Sequence, residues 1–69
     1  GAEINHQDVN GTSALMEAAA NGYAKIVRLL LERGANTALK DKHGDNALSL
    51  ARAAKHQECV QLLEKAGAH

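Results

Sequence analysis

The chain of 69 residues has no proline, no tryptophan and no phenylalanine, and Tyr23 is its single aromatic residue. A hydrophobic core must therefore be built from Leu, Ile, Val and Ala side chains. Cys59 is the single cysteine, which excludes an internal disulfide and favours a reducing compartment. No apolar run approaches the roughly 18 residues of a membrane span. We therefore expect an intracellular protein, cytoplasmic or nuclear, with no membrane partner.

The chain also lacks an excess of charge of either sign. Eight basic and eight acidic residues give a formal net charge of zero. The basic residues are mixed with acids and have no aromatics between them, whereas nucleic-acid grooves combine cations with stacking rings. We expect no nucleic-acid partner.

An internal repeat organises what is present. Sliding the sequence until Gly1 meets Gly34 aligns 1–36 with 34–69, and the identical positions are Gly, Ala, Asp and aliphatic residues. Surface positions differ between the two copies. Such a pattern indicates a structural repeat.

Each copy predicts a pair of short helices. In the first copy Ser13 suits an N-cap, Asn21-Gly22 suits a turn between helices, and Gly34 suits a left-handed C-cap. The second copy begins its first helix near Asn46. Its inter-helix turn carries Lys55 in place of the glycine, which is strained if its φ is positive.

Two further segments have the composition of turns. Residues 8–11 read Asp-Val-Asn-Gly and residues 41–44 read Asp-Lys-His-Gly. Aspartate starts such turns and glycine accepts the positive φ. Each segment therefore predicts a hairpin tip between helix pairs.

A helix pair and a hairpin turn in each copy resemble the ankyrin repeat, a unit of about 33 residues. The resemblance covers essentially the whole chain and implies an all-α solenoid of stacked antiparallel helix pairs joined by β-hairpin-like turns. It divides a single unit, 1–69, into the tail of a preceding repeat (1–7), repeat one (8–40) and an incomplete repeat two (41–69). The motif is matched by Asp8, Gly11, Leu15, Ala18, Ala19, Gly22, Ile26, Val27, Leu30, Leu31, Gly34 and Ala35, and again by Asp41, Gly44, Leu48, Ala51, Val60, Leu63, Gly67 and Ala68.

The chain departs from the family motif in several places. No proline starts either first helix, and neither copy has the histidine that links adjacent turns in the family, so the sequence does not predict those links. Arg52 stands where a small residue usually packs against the next repeat. We therefore interpret the second copy as the less regular, terminal member of the stack, and two helix pairs as marginally stable alone.

No catalytic, cofactor or metal site is predicted. His56 and Cys59 are three residues apart, but zinc needs four well-spaced ligands. Cys59 matches the aliphatic Ile26 in the first copy, so we expect it to face inwards rather than to act as a nucleophile. No phosphate-binding glycine motif occurs. We expect no enzyme activity and no cofactor.

The favoured hypothesis is a non-catalytic module or scaffold fragment that binds a protein partner. In the ankyrin-repeat family, contacts come mainly from the hairpin tips and the exposed face of the first helices. Tyr23 either joins such an interface or covers the helix ends. Carried onto this chain, the partner-binding residues are Gln7, Val9, Asn10, Thr12, Met16, Ala20, Asn21, Lys40, Lys42, His43, Asp45, Ala53 and Ala54.

The alternative is a structural, truncated or engineered stack that assembles with copies of itself. Apolar end faces around Leu15, Leu48, Leu50 and Cys59 would drive a homo-oligomer, and head-to-tail contact of this kind gives open assemblies. The mass of the particle in solution separates the two hypotheses.

Overall fold

The computed structural model describes residues 4–67, and in that range it contains four helices: α1 (Ala14–Asn21), α2 (Ala24–Glu32), α3 (Ala47–Ala53) and α4 (Gln57–Lys65). No strand occurs in that range, so the all-α class is confirmed. The helices pack as a square, with α1 against α2 and α3, and α4 against α2 and α3. One layer is therefore α1 and α3, and the other is α2 and α4.

Both first helices begin at the predicted N-caps. Ser13 has an extended backbone, and its Oγ accepts from the Met16 N–H at 3.3 Å. The Asn46 side chain accepts from the Ser49 N–H at 2.8 Å, and the Ser49 hydroxyl accepts from the Asn46 N–H at 3.0 Å. This reciprocal pair is a capping box, which satisfies two backbone donors at once.

The two inter-helix turns share one geometry. In the first, Gly22 has a φ of +78°, and the Tyr23 N–H donates to the Ala18 carbonyl at 2.9 Å. The second turn has the equivalent backbone N–H to carbonyl hydrogen bond, with a nitrogen-to-oxygen distance of 3.0 Å. Lys55 holds the glycine's place there with a φ of +62°, the one positive φ of a non-glycine residue in the described part of the chain. The strain expected at Lys55 is therefore present.

Lys55→Gly is expected to raise the free energy of unfolding by about 0.5–1 kcal/mol, because a side chain in the left-handed region costs about 1–2 kcal/mol and glycine's extra chain entropy offsets part of the gain. Thermal unfolding followed by circular dichroism measures the change. The matched control is Ala54→Gly, because Ala54 has a helical φ of −85°; this variant should lose stability. Equal effects from the two variants would contradict strain at Lys55.

The predicted hairpin tips are hydrogen-bonded turns. The Asp8 carboxylate accepts from the backbone N–H groups two and four residues further on, both at 2.9 Å. Asp41 repeats this pattern at 2.8 and 3.0 Å. Gly11 and Gly44 have φ values of +78° and +83°, which non-glycine residues adopt only with strain.

Adjacent turns are linked without the family's histidine. The Gln7 side-chain amide donates to the carbonyls of Gly11 and Lys40, both at 2.8 Å. The Lys42 N–H donates to the Asn10 carbonyl at 3.0 Å. The Gln7 amide therefore links residue 7 to both ends of repeat one, and the Lys42 N–H links the first turn of repeat two to that of repeat one.

The core lies between the two helix layers. Alanines bring α1 and α3 close together, and Leu and Val side chains fill the space towards α2 and α4. The expectation that Leu15, Leu48 and Cys59 form apolar end faces is wrong, because each is at most 2% exposed inside this core. The buried apolar residues are Leu15, Met16, Ala18, Ala19, Val27, Ala47, Leu48, Ala51, Cys59 and Leu63. Within residues 4–67, none of the helices has the length and hydropathy that a membrane-spanning helix needs.

Candidate interaction face

The two hairpin tips, residues 8–11 and 41–44, lie side by side; we call them the tip pair. A Cβ placed on Gly11 would lie 2.8 Å from the Asp41 Cα, so the two backbones are nearly in contact. With the bond from the Lys42 N–H to the Asn10 carbonyl, this contact fixes one tip against the other. The tip pair is therefore a preformed surface.

The tip pair combines an apolar and a cationic element. Val9 is 98% exposed on the first tip. Lys42 and His43 are exposed on the second tip, and Lys40 is exposed just before it. An apolar side chain held in water beside cations can contact a partner without any rearrangement of the fold.

Asp41 holds the second tip in shape. The hydrogen bond from the Asp45 N–H is the main reason why the pKa of Asp41 is lowered from 3.8; some desolvation opposes it, and the N–H and charge of His43 add to the lowering. A lowered pKa means that the fold favours the carboxylate over the acid. This contribution to stability is present above pH 3.8 and is lost as the pH falls through the lowered pKa.

Several residues that were predicted to contact a partner instead form hydrogen bonds within the fold. The Gln7 amide is bonded to two backbone carbonyls. Thr12 and Asp45 close the tips through their backbone groups and are half-buried. They position the tip pair and offer less surface to a partner than Val9 or Lys42.

The predicted residues on the first helices form a separate patch. Asn21, Ala53 and Ala54 are exposed and Ala20 is half-buried, all at the C-terminal ends of α1 and α3. An eight-residue helix is about 12 Å long, so the length of α1 separates this patch from the tips. The side chains of this patch are small, which leaves room for a partner's side chains.

Met16 does not belong to the face. It is 1% exposed and packs in the core, so its assignment as a contact residue is wrong. Met16 lies on the side of α1 that α3 covers, where a flexible thioether fills the space between repeats.

Two exposed apolar side chains were not predicted. Ile26 and Leu29 are each 46% exposed on α2, although their helical spacing indicates a buried face. Tyr23, considered for an interface from its sequence, is 54% exposed. The sequence signal for this exposure is that Ile26 belongs to the first of the two helix pairs, and within residues 4–67 no helix pair packs on its outer side.

The chemistry around Cys59 is that of a buried thiol. Burial raises the pKa of Cys59 above 9.0, and the charge of Glu58 adds to the rise, so the thiol stays protonated at neutral pH. The His56 ring lies against the turn at Gly22, where an added Cβ would meet its Nδ1 at 2.7 Å. Among residues 4–67, no group of three His, Cys, Asp or Glu side chains is placed to hold a metal ion.

Comparison with known proteins identifies the architecture. A family model described as ankyrin repeats (3 copies) matches residues 1–69. The chain belongs to the ankyrin-repeat family. Ankyrin repeats are in general protein–protein interaction modules, and the ankyrin-repeat relatives found are mostly non-catalytic.

The relatives are much longer than this chain. Ankyrin repeat and KH domain-containing protein 1 of Homo sapiens is 39% identical over 70 residues, which cover 99% of this chain and 3% of that protein. E3 ubiquitin-protein ligase KEG of Arabidopsis thaliana is 44% identical over 64 residues, which cover 91% of this chain and 4% of that protein. The shared ankyrin repeats therefore account for a small part of each relative.

A solved structure shares the fold. It is the complex of the Bd0816 predatory endopeptidase from Bdellovibrio bacteriovorus with the immunity protein Bd3460. The match has a TM-score of 0.95 at 37% identity and covers 97% of this ankyrin-repeat chain and 35% of the matched chain.

Proposed function

We propose that this ankyrin-repeat chain is a non-catalytic module that binds a protein partner through the tip pair and the exposed ends of α1 and α3. The observation that carries the proposal is Val9, which is 98% exposed on a tip whose backbone is fixed by hydrogen bonds. A rigid loop that presents an apolar side chain loses little entropy on binding. An intracellular location, cytoplasmic or nuclear, is part of the proposal and is supported by the unpaired thiol of Cys59.

The chemistry of the tip pair defines the partner. Val9 requires a shallow apolar pocket, and the cations of Lys40 and Lys42 favour carboxylates beside that pocket. Rim charges of this kind mainly steer association and give salt dependence, whereas a buried apolar anchor contributes affinity. The partner we propose is therefore a protein surface with an apolar centre and an acidic edge.

A self-assembling stack is the alternative, and the exposed side chains of Ile26 and Leu29 favour it. Light scattering after size exclusion, over a hundredfold range of concentration, separates the two. The binding module is a monomer throughout, whereas the stack grows in mass with concentration.

Val9→Asp and Lys42→Glu are each expected to weaken partner binding about tenfold or more while the helical content is unchanged, because both side chains are exposed and neither is needed by the core. Partners are captured from a cell lysate on the immobilised chain and quantified by mass spectrometry. The proteins of interest are those that both tip variants lose.

The matched control is Lys25→Glu, the same charge change at an exposed position on α2. This variant should retain the partner. Equal retention by the wild-type chain and both tip variants would contradict the tip pair as the binding surface.

A further inference from the structure

Two asparagines of this chain are followed directly by glycine: Asn10 by Gly11 in the first hairpin tip, and Asn21 by Gly22 between α1 and α2. An asparagine in this setting can lose its side-chain amide, because the backbone nitrogen of the next residue can attack the side-chain carbon and glycine has no side chain to obstruct the attack. The other asparagines precede residues that carry side chains. The two Asn-Gly pairs are therefore the candidate deamidation sites.

Deamidation needs only water as a co-reactant. The glycine nitrogen, once it has lost its proton to hydroxide, forms a bond to the asparagine Cγ, and the bond from Cγ to the amide nitrogen breaks and releases ammonia. Water then opens the resulting succinimide ring at either carbonyl, and the ring nitrogen takes up a proton. The product is aspartate or isoaspartate. Overall one water is consumed and one ammonia is released, with no oxidation or reduction.

The Asn10 side chain is free to turn towards the nitrogen of Gly11. It is exposed and makes no hydrogen bond within residues 4–67. The backbone restrains the reaction instead, since the Gly11 N–H donates to the Asp8 carbonyl at 2.8 Å and the Asn10 carbonyl accepts from the Lys42 N–H at 3.0 Å. Ring closure rotates the peptide group between residues 10 and 11, so both bonds must open first. No helix has to unwind.

Asn21 is held more firmly. It is the last residue of α1, and its side-chain amide donates to the Glu17 carbonyl at 2.9 Å. The Gly22 N–H is bonded to carbonyls inside α1, and the His56 ring lies against this glycine. Ring closure at Asn21 therefore requires the end of α1 to unwind where the two repeats meet.

We propose that Asn10 is the deamidation site of this chain, that it reacts through local opening of the first tip, and that Asn21 is protected while the repeats are folded. Opening a surface turn costs less free energy than opening a helix end that is packed against a core. Either product adds a negative charge to the tip pair beside Lys42.

The added charge also bears on binding. A partner at the tip pair would meet a carboxylate where a neutral amide stood, and the acidic edge proposed for that partner would be repelled. This consequence rests on the function proposed above, whereas the deamidation does not. The rate of deamidation is measured without a partner, so the two can fail separately.

The test follows deamidation of the full chain at mildly alkaline pH, by peptide mapping and mass spectrometry at each asparagine. In the folded chain Asn10 should react at least about tenfold faster than Asn21. In concentrated urea, where no opening is needed, the two rates should agree within about twofold. Asn21 reacting as fast as Asn10 in the folded chain would overturn the proposal. So would a tenfold preference for Asn10 that persists in urea, because it would come from neighbouring residues and not from the fold.

Asp8→Ala gives an independent readout. It removes the carboxylate that accepts from the Asn10 and Thr12 N–H groups, both at 2.9 Å. Asn10 should then deamidate at least about tenfold faster, while the rate at Asn21 and the helical signal stay unchanged. The matched control, Asp41→Ala, removes the equivalent bonds of the second tip and should accelerate Asn10 by less than about threefold. Equal acceleration by the two variants, or an unchanged rate at Asn10 in a folded Asp8→Ala chain, would contradict the proposal.

Discussion

Gly11→Ala is expected to lower the free energy of unfolding by about 3 kcal/mol and to leave little folded protein at about 37 °C. Two effects add. The φ of +78° costs a side chain about 1–2 kcal/mol, and the new Cβ would lie 2.8 Å from the Asp41 Cα and 3.1 Å from the Lys42 nitrogen. Backbone atoms cannot move aside as a flexible side chain can, so the tips must separate. Urea unfolding followed by circular dichroism measures the loss.

Gly44→Ala is the matched control for this prediction. Gly44 holds the same place in the second tip with a φ of +83°, and a Cβ there would meet nothing within 4 Å. Gly44→Ala should lower the free energy of unfolding only by the cost of a side chain at positive φ, about 1–2 kcal/mol. Equal losses for the two variants would mean that the tip pair is not in close contact in solution.

Leu63→Ala is expected to cost about 3 kcal/mol, within the range of about 2–5 kcal/mol for fully buried leucines. Leu63 is 0% exposed and lies in the core that repeat one covers. Removing its side chain leaves a cavity where α4 meets the first repeat. Equilibrium unfolding in urea measures this cost.

The matched control is Leu30→Ala, at the equivalent position of repeat one. Leu30 is half-buried, and no helix pair within residues 4–67 lies over it, so the expected cost is about 1.5 kcal/mol. A larger cost for Leu30 than for Leu63 would contradict the direction of stacking that the structure shows.

The local features of the fold were predictable from the sequence because each depends on a few adjacent residues. Ser13 and Asn46 cap helices through their own side chains, and Gly22 and Gly34 end them through positive φ. The strain at Lys55 follows from the same rule. The internal repeat of the sequence then places one helix pair on the next.

The exposure of equivalent residues was not predictable from local pattern. Ile26 and Cys59 occupy the same position in their repeats, yet Ile26 is 46% exposed and Cys59 is 1% exposed. The difference depends on which side of a repeat has a neighbour. Met16 was misassigned for the same reason, since α3 covers it.

The links between turns show a different limit. The family's histidine is absent, and the motif alone gives no substitute. The structure uses the Gln7 amide and the Lys42 N–H instead. Such bonds depend on distances between the tips, which a sequence pattern does not contain. Val9 could be selected in advance only because an apolar residue at a turn has no core to enter.

The central claim is that the two repeats stack and open as one unit. The rate at which a thiol reagent modifies Cys59 tests this claim most directly. Cys59 is the single thiol and is buried where repeat two packs against repeat one, so each modification reports an opening of that junction. Under conditions where reclosing is faster than modification, we predict an opening free energy equal to the unfolding free energy from circular dichroism, so that the two repeats open together. Rapid modification of Cys59 while the helical signal stays intact would show that the repeats do not stack, and would contradict the account.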